Sequence, residues 1–516
     1  MRSRRIPLRI FAALLFAQGI LSHASAVSPC RQEPGNPSPA LRLPDEDTPR
    51  ELVYPYYSLK EGYDSNLGMM DRAPRPIEFT VAVHSLSGKT VVSKPMTIQP
   101  SEELVINVKK LLTGMDVDYR GDFLEGSLTI HFKGRGNPLG GRMLVEGPHE
   151  TLNLGPVWSM GESGLNMLPD RLNTLWYDLG GARDVAATVT NITNQPVSAD
   201  LYLDFAGERH AAPLLRFAPH ETKHVSVTEV LAAMKLTAYH APTGGLSIVP
   251  RTPKLSLVAQ GKITDPESGR ITALKFPLPQ LEVVSSLHAS GVPVSIPSED
   301  SPFAGVKGAD FLPHLYVRNL LPSEQTLNIT VEYSREGRPD FTPLPPITVR
   351  GYTMQDIRLD SYFSLLPLPL PFCSLQIRYN GPPGSVMAEV VSVNETSGKA
   401  NEILVVNEGN GYAGSLASYW GFDDDTDFIV FLTNMGDRPC RVGFRIETSG
   451  VVYYLTKLEL LPRETQVISL RELRDKQQPD FRGTVIPANA VEGRLFYNRV
   501  DNVPMMGRVT VVPRKR

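Results

Sequence analysis

Four stretches of this chain alternate apolar and polar residues with a period of two. Ile77, Phe79, Val81 and Val83 alternate with Glu78, Thr80 and Ala82, and Val197, Ala199, Leu201 and Leu203 alternate with Ser198, Asp200 and Tyr202. Gln325, Leu327, Ile329 and Val331 form a third run, and Cys440, Val442, Phe444 and Ile446 a fourth. Successive side chains of a strand point to opposite faces, so each run predicts a strand with one buried face. A slip of one residue would turn the buried set outwards. Identical parity in four places therefore predicts one architecture used four times.

Fixed punctuation surrounds these runs. Pro76, Pro196 and Pro439 each stand just before one, with Glu324 in that place in the third, and Asn191, Asn319 and Asn434 stand five residues earlier. A large aromatic lies nineteen residues before each proline: Tyr57 before Pro76, Tyr177 before Pro196, Trp420 before Pro439. A second turn follows, Pro100-Ser-Glu102, Pro219-His-Glu221 and Pro462-Arg-Glu464, with Gly351 opening the degenerate third one. Each leads into a strand: Ile106 and Val108, Val225 and Val227, Ile357 and Leu359, Ile468 and Leu470. Short helical turns are predicted next, at Val108–Leu112, Val227–Met234 and Leu470–Leu473. Two more strand-like runs close every repeat, from Ser127–Phe132 with Arg142–Val145 to Arg494–Tyr497 with Gly507–Val512.

Positions 76, 196, 324 and 439 set a pitch of 120, 128 and 115 residues, far longer than a solenoid unit and about the size of a self-sufficient β-sandwich. The expected fold is all-β, four tandem antiparallel β-sandwiches at 52–165, 166–295, 296–405 and 406–516. In Thr433-Asn434…Pro439 and in Pro462-Arg-Glu464 before a strand, the chain resembles the tandem immunoglobulin-like or fibronectin-type-III-like modules of bacterial exported proteins. The resemblance covers residues 52–513 at superfamily level, without the Cys…Trp…Cys pin of antibody domains. It implies spacing, adhesion or binding, and no catalysis.

Composition sharpens this picture at three points. The 41 glycines and 45 prolines favour many turns over long helices, and a net charge of -3 lacks the basic face that nucleic acid requires. Arg2, Arg4, Arg5 and Arg9 precede the apolar run Ile10–Leu21 and the small residues Ala24-Ser25-Ala26, which reads as a signal peptide at 1–26; twelve residues are too few to span a bilayer. A flexible, proline-rich leader is expected at 27–51, and no transmembrane segment after cleavage. Pro29 before Cys30 argues against lipidation. Cys30, Cys373 and Cys440 are too few for a disulfide framework, although a Cys373–Cys440 bridge is left open.

Candidate chemistry is sparse. His220-Glu221-Thr-Lys-His224 is a literal HExxH, which on a helix would hold zinc and supply a general base. Glu221, however, fills the repeat position of Glu102 and Glu464, and Val225-Ser-Val227 reads as a strand. On a strand the two histidines would stand about 13 Å apart, too far for one ion. Tyr419 and Trp420 with Asp423, Asp424 and Asp425 form the candidate ligand-binding set: aromatic platforms for sugar rings beside carboxylates that accept sugar hydroxyls. The alternative for Tyr57, Tyr177 and Trp420 is packing over the sandwich core. Asn191, Asn328 and Asn394 open glycosylation sequons. The expectation is thus an exported, non-enzymatic binding, adhesion or spacer protein of the periplasm, cell surface or medium. It would need no metal or cofactor, and its partner would be an extracellular or envelope protein or a polysaccharide. Carbohydrate binding is the first alternative, and a zinc peptidase the second.

Overall fold

The structure, a computed structural model, describes residues 49–513 apart from several stretches, the longest being 160–171, 294–310 and 471–491. The expected signal peptide, most of the leader and Cys30 lie outside the described residues. The described chain is all-β, built of antiparallel sheets, and it divides into two compact units. Among the described residues, one holds those from 49 to 281 with Gly351–Met354, the other those of 282–350 and from 355 onward.

Sheet order repeats along the chain. In the first repeat one sheet runs Val157–Ser159, Pro49–Ser58, Glu125–Lys133, Ile77–Ser85, and the short strands Thr90–Val92 and Met96–Ile98 share the last edge. Its companion runs Glu103–Asn107, Asp64–Asp71, Leu139–Glu146, Thr151–Leu154. In the second repeat the first sheet centres on Val197–Phe205 and Thr243–Pro250. Its companion is ordered Thr222–Ser226, Asp184–Asn191, Leu257–Thr264, Ile271–Leu274. The third repeat centres on Gln325–Arg335 and Phe372–Tyr379, with Met354–Arg358, Phe311–Asn319, Val386–Asn394 and Lys399–Ile403 as companion. The fourth has Leu416–Gly421, Glu492–Arg499, Cys440–Thr448, Val451–Leu460 and, in the second sheet, Thr465–Ser469, Thr426–Asn434, Met505–Pro513.

The alternation predicts the cores. Ile77, Phe79, Val81 and Val83 are buried and join Leu67, Met69 and Met143 of the companion sheet in one core. Val197, Ala199, Leu201 and Leu203 do the same with Val185, Ala187 and Val189. Leu327, Ile329 and Val331 lie in the third core, and Cys440, Val442 and Ile446 are buried in the fourth repeat. Each such side chain contributes about 1.5–3 kcal/mol by leaving water, which makes a shifted register untenable.

The helical turns follow from capping. Val108–Gly114 begins where Asn107 accepts a hydrogen bond from the Lys110 amide, and Val227–Ala233 where Ser226 accepts one from Glu229. Either cap satisfies an amide that a first helical turn leaves orphaned, so strand gives way to helix within one residue. Asp360–Phe363 is the third-repeat counterpart, and the fourth lies mostly outside the described residues. Cys373 and Cys440 are both buried thiols with no disulfide between them. Burial first, and the charge of Glu332 next, push the Cys373 pKa up, away from thiolate chemistry. No helix among the described residues is long and apolar enough to cross a membrane.

Candidate functional site

The expected aromatic platforms separate into buried and undescribed ones. Tyr57 and Tyr177 have no exposed surface and sit in register opposite Gly126 and Gly244. A Cβ on Gly244 would come 2.7 Å from the Tyr177 hydroxyl, so the glycine makes room for the ring. These two aromatics pack a core and offer no stacking face for a sugar. Trp420 keeps the same register, opposite Gly493, and Tyr419 stands opposite Arg494. The side chains of both, and Asp423, Asp424 and Asp425 altogether, lie outside the described residues.

The HExxH segment is a turn followed by a strand. His220 has φ 56, the left-handed conformation, and His224 lies on Thr222–Ser226, paired with Thr188. The segment does not form the helix that would bring both histidines to one ion. Glu221 folds back so that its Oε2 accepts the Ala218 amide at 2.7 Å. Glu102 accepts from Gln99 at 2.7 Å and Glu464 from Leu461 at 2.6 Å in the same way. The glutamate of the motif is therefore a turn-closing acceptor in three repeats. Among the described residues no group of three His, Cys, Asp or Glu side chains could hold a metal ion.

The repeat asparagines complete this frame. Asn191, Asn319 and Asn434 are fully buried. Asn191 donates to the carbonyls of Gln195 and Ala218 and accepts from the Thr193 amide. Asn434 donates to Arg438, Leu460 and Leu461 and accepts from Gly436. Asn319 does the same with Ser323, Val349, Arg350 and Leu321. One amide thus ties two turns together, and at Asn191 it leaves no free nitrogen for a glycan.

The polar side chains that do converge are at two junctions between successive repeats. In the first unit Glu125, 6% exposed at its side chain, receives Tyr56 Oη at 2.7 Å and Lys60 Nζ at 2.6 Å. His224 Nε2 lies 3.6 Å away, and its Nδ1 meets Thr188 Oγ1 at 3.0 Å. Burial alone would raise the Glu125 pKa, but His224, Lys60 and Tyr56 around the carboxylate outweigh it and bring it down to about 2. Beside this, the His84 and His220 rings stack at 4.5 Å. Burial, then His220 and His131, hold the His84 pKa down at about 3 against the pull of Glu51. Both His84 nitrogens are occupied, by Thr90 and Thr129. Burial lowers His220 as well.

Backbone and threonines lock the same junction. The Thr222 amide donates to the Leu86 carbonyl at 3.0 Å, and Thr190 donates to Pro55 while meeting Thr222 at 2.9 Å. Val53 of the first repeat is buried in the second repeat's core. Gly88, at φ +87, passes so close that a Cβ would stand 2.2 Å from the Pro219 carbonyl.

The second unit repeats the plan with other chemistry. Arg463 occupies the position of His220, again left-handed at φ 61. It pairs with Glu408, with Glu332 at 3.7 Å and with Asp437 at 3.3 Å. Burial works against the guanidinium charge, and Glu408 and the other two carboxylates more than compensate, raising its pKa. His288 Nε2, fully buried, meets Glu332 at 2.9 Å, while Gln376 and Ser286 donate to Glu408. Thr433 and Thr465 meet at 2.8 Å, as Thr190 and Thr222 do, and Thr465 reaches Ser374 at 2.7 Å. Phe431 packs edge-on against Phe372.

The residue between the turn's proline and glutamate is thus a docking residue in both places. Its signal in sequence was a position that varies inside an otherwise constant Pro-x-Glu frame. Such a site binds an adjoining sheet. Both oxygens of Glu125 are engaged, Oε1 by Tyr56 and Oε2 by Lys60, so the carboxylate is an ion-pair hub. No protein-family model matches the chain, and no curated protein is similar to it.

Proposed function

We propose that this chain is an exported, non-catalytic protein of four tandem immunoglobulin-like or fibronectin-type-III-like sandwiches. It serves as a spacer that presents loops to an extracellular or envelope partner, a protein or a polysaccharide. The observation that carries this reading is the recurrent junction. Thr190 with Thr222 and Thr433 with Thr465 take equivalent places, and the left-handed residues His220 and Arg463 each close on the preceding repeat. Titratable side chains that could have formed a site are engaged in holding repeats together. Rigid joints of this kind suit a protein that sets a distance, while its loops carry recognition.

The test is retention of the chain from Val27 onward on envelope fractions and insoluble polysaccharides, run beside peptide and glycan hydrolysis assays. Saturable retention on an envelope protein without turnover is expected. Retention on polysaccharide that Trp420→Ala abolishes moves the reading to carbohydrate binding. Turnover that zinc restores and His220→Ala removes overturns it.

A further inference from the structure

We propose that the strand Val451–Leu460 is an open pairing edge that accepts the same strand of a second copy of this chain. It lies at the end of its sheet and, among the described residues, pairs only with Cys440–Thr448. An edge strand presents a row of unpaired amides and carbonyls, which proteins ordinarily interrupt.

The other three repeats do interrupt it. In the same place the first has Thr90–Val92 and Met96–Ile98, with Pro95 between them. The second has Glu208–Ala211 and Leu215–Phe217 around Pro213, and the third Arg338–Pro343 and Ile347–Val349 around Pro345 and Pro346. Proline has no amide hydrogen and cannot continue a ladder, so each of these edges is broken where a strand would attach. From Val451 to Leu460 there is no proline, and the strand runs unbroken for ten residues.

What interruption the fourth edge has is confined to its far half. The register slips between Val442 and Phe444, which pair with Leu458 and Leu455, setting Thr456 and Lys457 against Gly443 alone. Such a bulge with a lysine on it is a common guard. It leaves the uncharged, β-prone stretch Val451-Val-Tyr-Tyr-Leu455 unguarded.

The occupant follows from self-complementarity. Two antiparallel copies related by a two-fold axis keep their buried faces on one side only if residues of like parity meet. Centring the axis on Tyr454 satisfies this. Tyr454 then faces its own counterpart, Tyr453 faces Leu455, Val452 faces Thr456, and Lys457 falls against Val451. Aromatic and β-branched pairs meet, and no like charges do. The pairing is isologous and closes at two, so it yields a dimer and no fibre.

Sedimentation velocity of the chain from Val27 onward tests this. A reversible dimer is expected, at least tenfold weaker in Tyr454→Lys and equally so in Tyr454→Glu, since each sets like charges on the axis. An equimolar mixture of the two variants should restore the dimer as a heterodimer. Tyr454 pairs in register with Arg445 and not with Cys440, Val442 or Ile446, so unchanged thermal melting is expected. Thr456→Pro, which copies the break of the other repeats, is the second variant and should also give monomer. A wild-type chain that stays monomeric at ~100 µM overturns the proposal. So does a dimer indifferent to all three substitutions, or variants that fail to re-pair on mixing.

Discussion

The two junctions share a backbone plan and differ in their charges, and the difference shows what each part contributes. In both, a buried asparagine ties two turns, a threonine pair bridges two strands, and a left-handed turn residue reaches the preceding repeat. The first junction is closed by histidines around Glu125, and the second by Arg463 between Glu332 and Glu408. Imidazole changes charge in the range where proteins work, and guanidinium does not. The frame therefore makes the joint, and the side chains set around it decide which charges the joint holds.

The largest effect is expected from removing the fixed charge. Arg463→Ala leaves Glu332 and Glu408 without their cation in a mostly buried cluster, and should cost the unit from 282 onward about 3–5 kcal/mol in urea unfolding. The other unit should be unaffected. Asn191→Ala and Asn434→Ala should each cost about 2–3 kcal/mol, because buried turn carbonyls lose their donor. Similar losses in both units would place the asparagine in the common frame, and a large disparity would break that equivalence.

Acid should separate the junctions more finely. His84 takes a proton near 6.5 in the unfolded chain and only near 3 in the folded one. Its contribution is complete above pH 6.5 and is lost as the pH falls towards 3, by about 1.4 kcal/mol per unit. Glu125, lowered from 4.5 to about 2, adds a loss of the same sign over that lower window. Thermal melting of the first unit between pH 7 and 4 should show this slope, and His84→Gln should flatten it down to pH 4.5. A slope that persists in the variant would assign the acid response elsewhere.

Two smaller substitutions sharpen the picture. Ser226→Ala removes the cap of the helix Val227–Ala233 and should cost about 1 kcal/mol by denaturant unfolding. Lys60→Met should cost less than about 1 kcal/mol, because Lys60 is half exposed and Glu125 keeps Tyr56 and His224.

Much of this was legible in the chain alone. Period-two alternation after Pro76, Pro196 and Pro439 identified the buried faces, because water excludes apolar side chains whatever their tertiary partners. Pro-x-Glu marked the second turn, and its recurrence at Glu102 and Glu464 pointed to Glu221 as a turn residue. Tyr57 and Tyr177 were correctly bracketed between platform and core, but their register opposite glycines could not be seen. Pairing partners are far apart in sequence, and nothing local encodes which glycine a ring will cover.

What the sequence by itself determined is the all-β class, the inward faces, the turns and the short capped helices. Each depends on interactions within a few residues, or on partition between water and interior. What only the tertiary structure decided is the company kept by the polar residues. His220 beside His84, His224 beside Glu125 and Arg463 among three carboxylates are contacts over long chain separations, made when one repeat's turn meets another repeat's sheet. A charge acquires its role from the dielectric and the partners around it, and those exist only once the chain has folded.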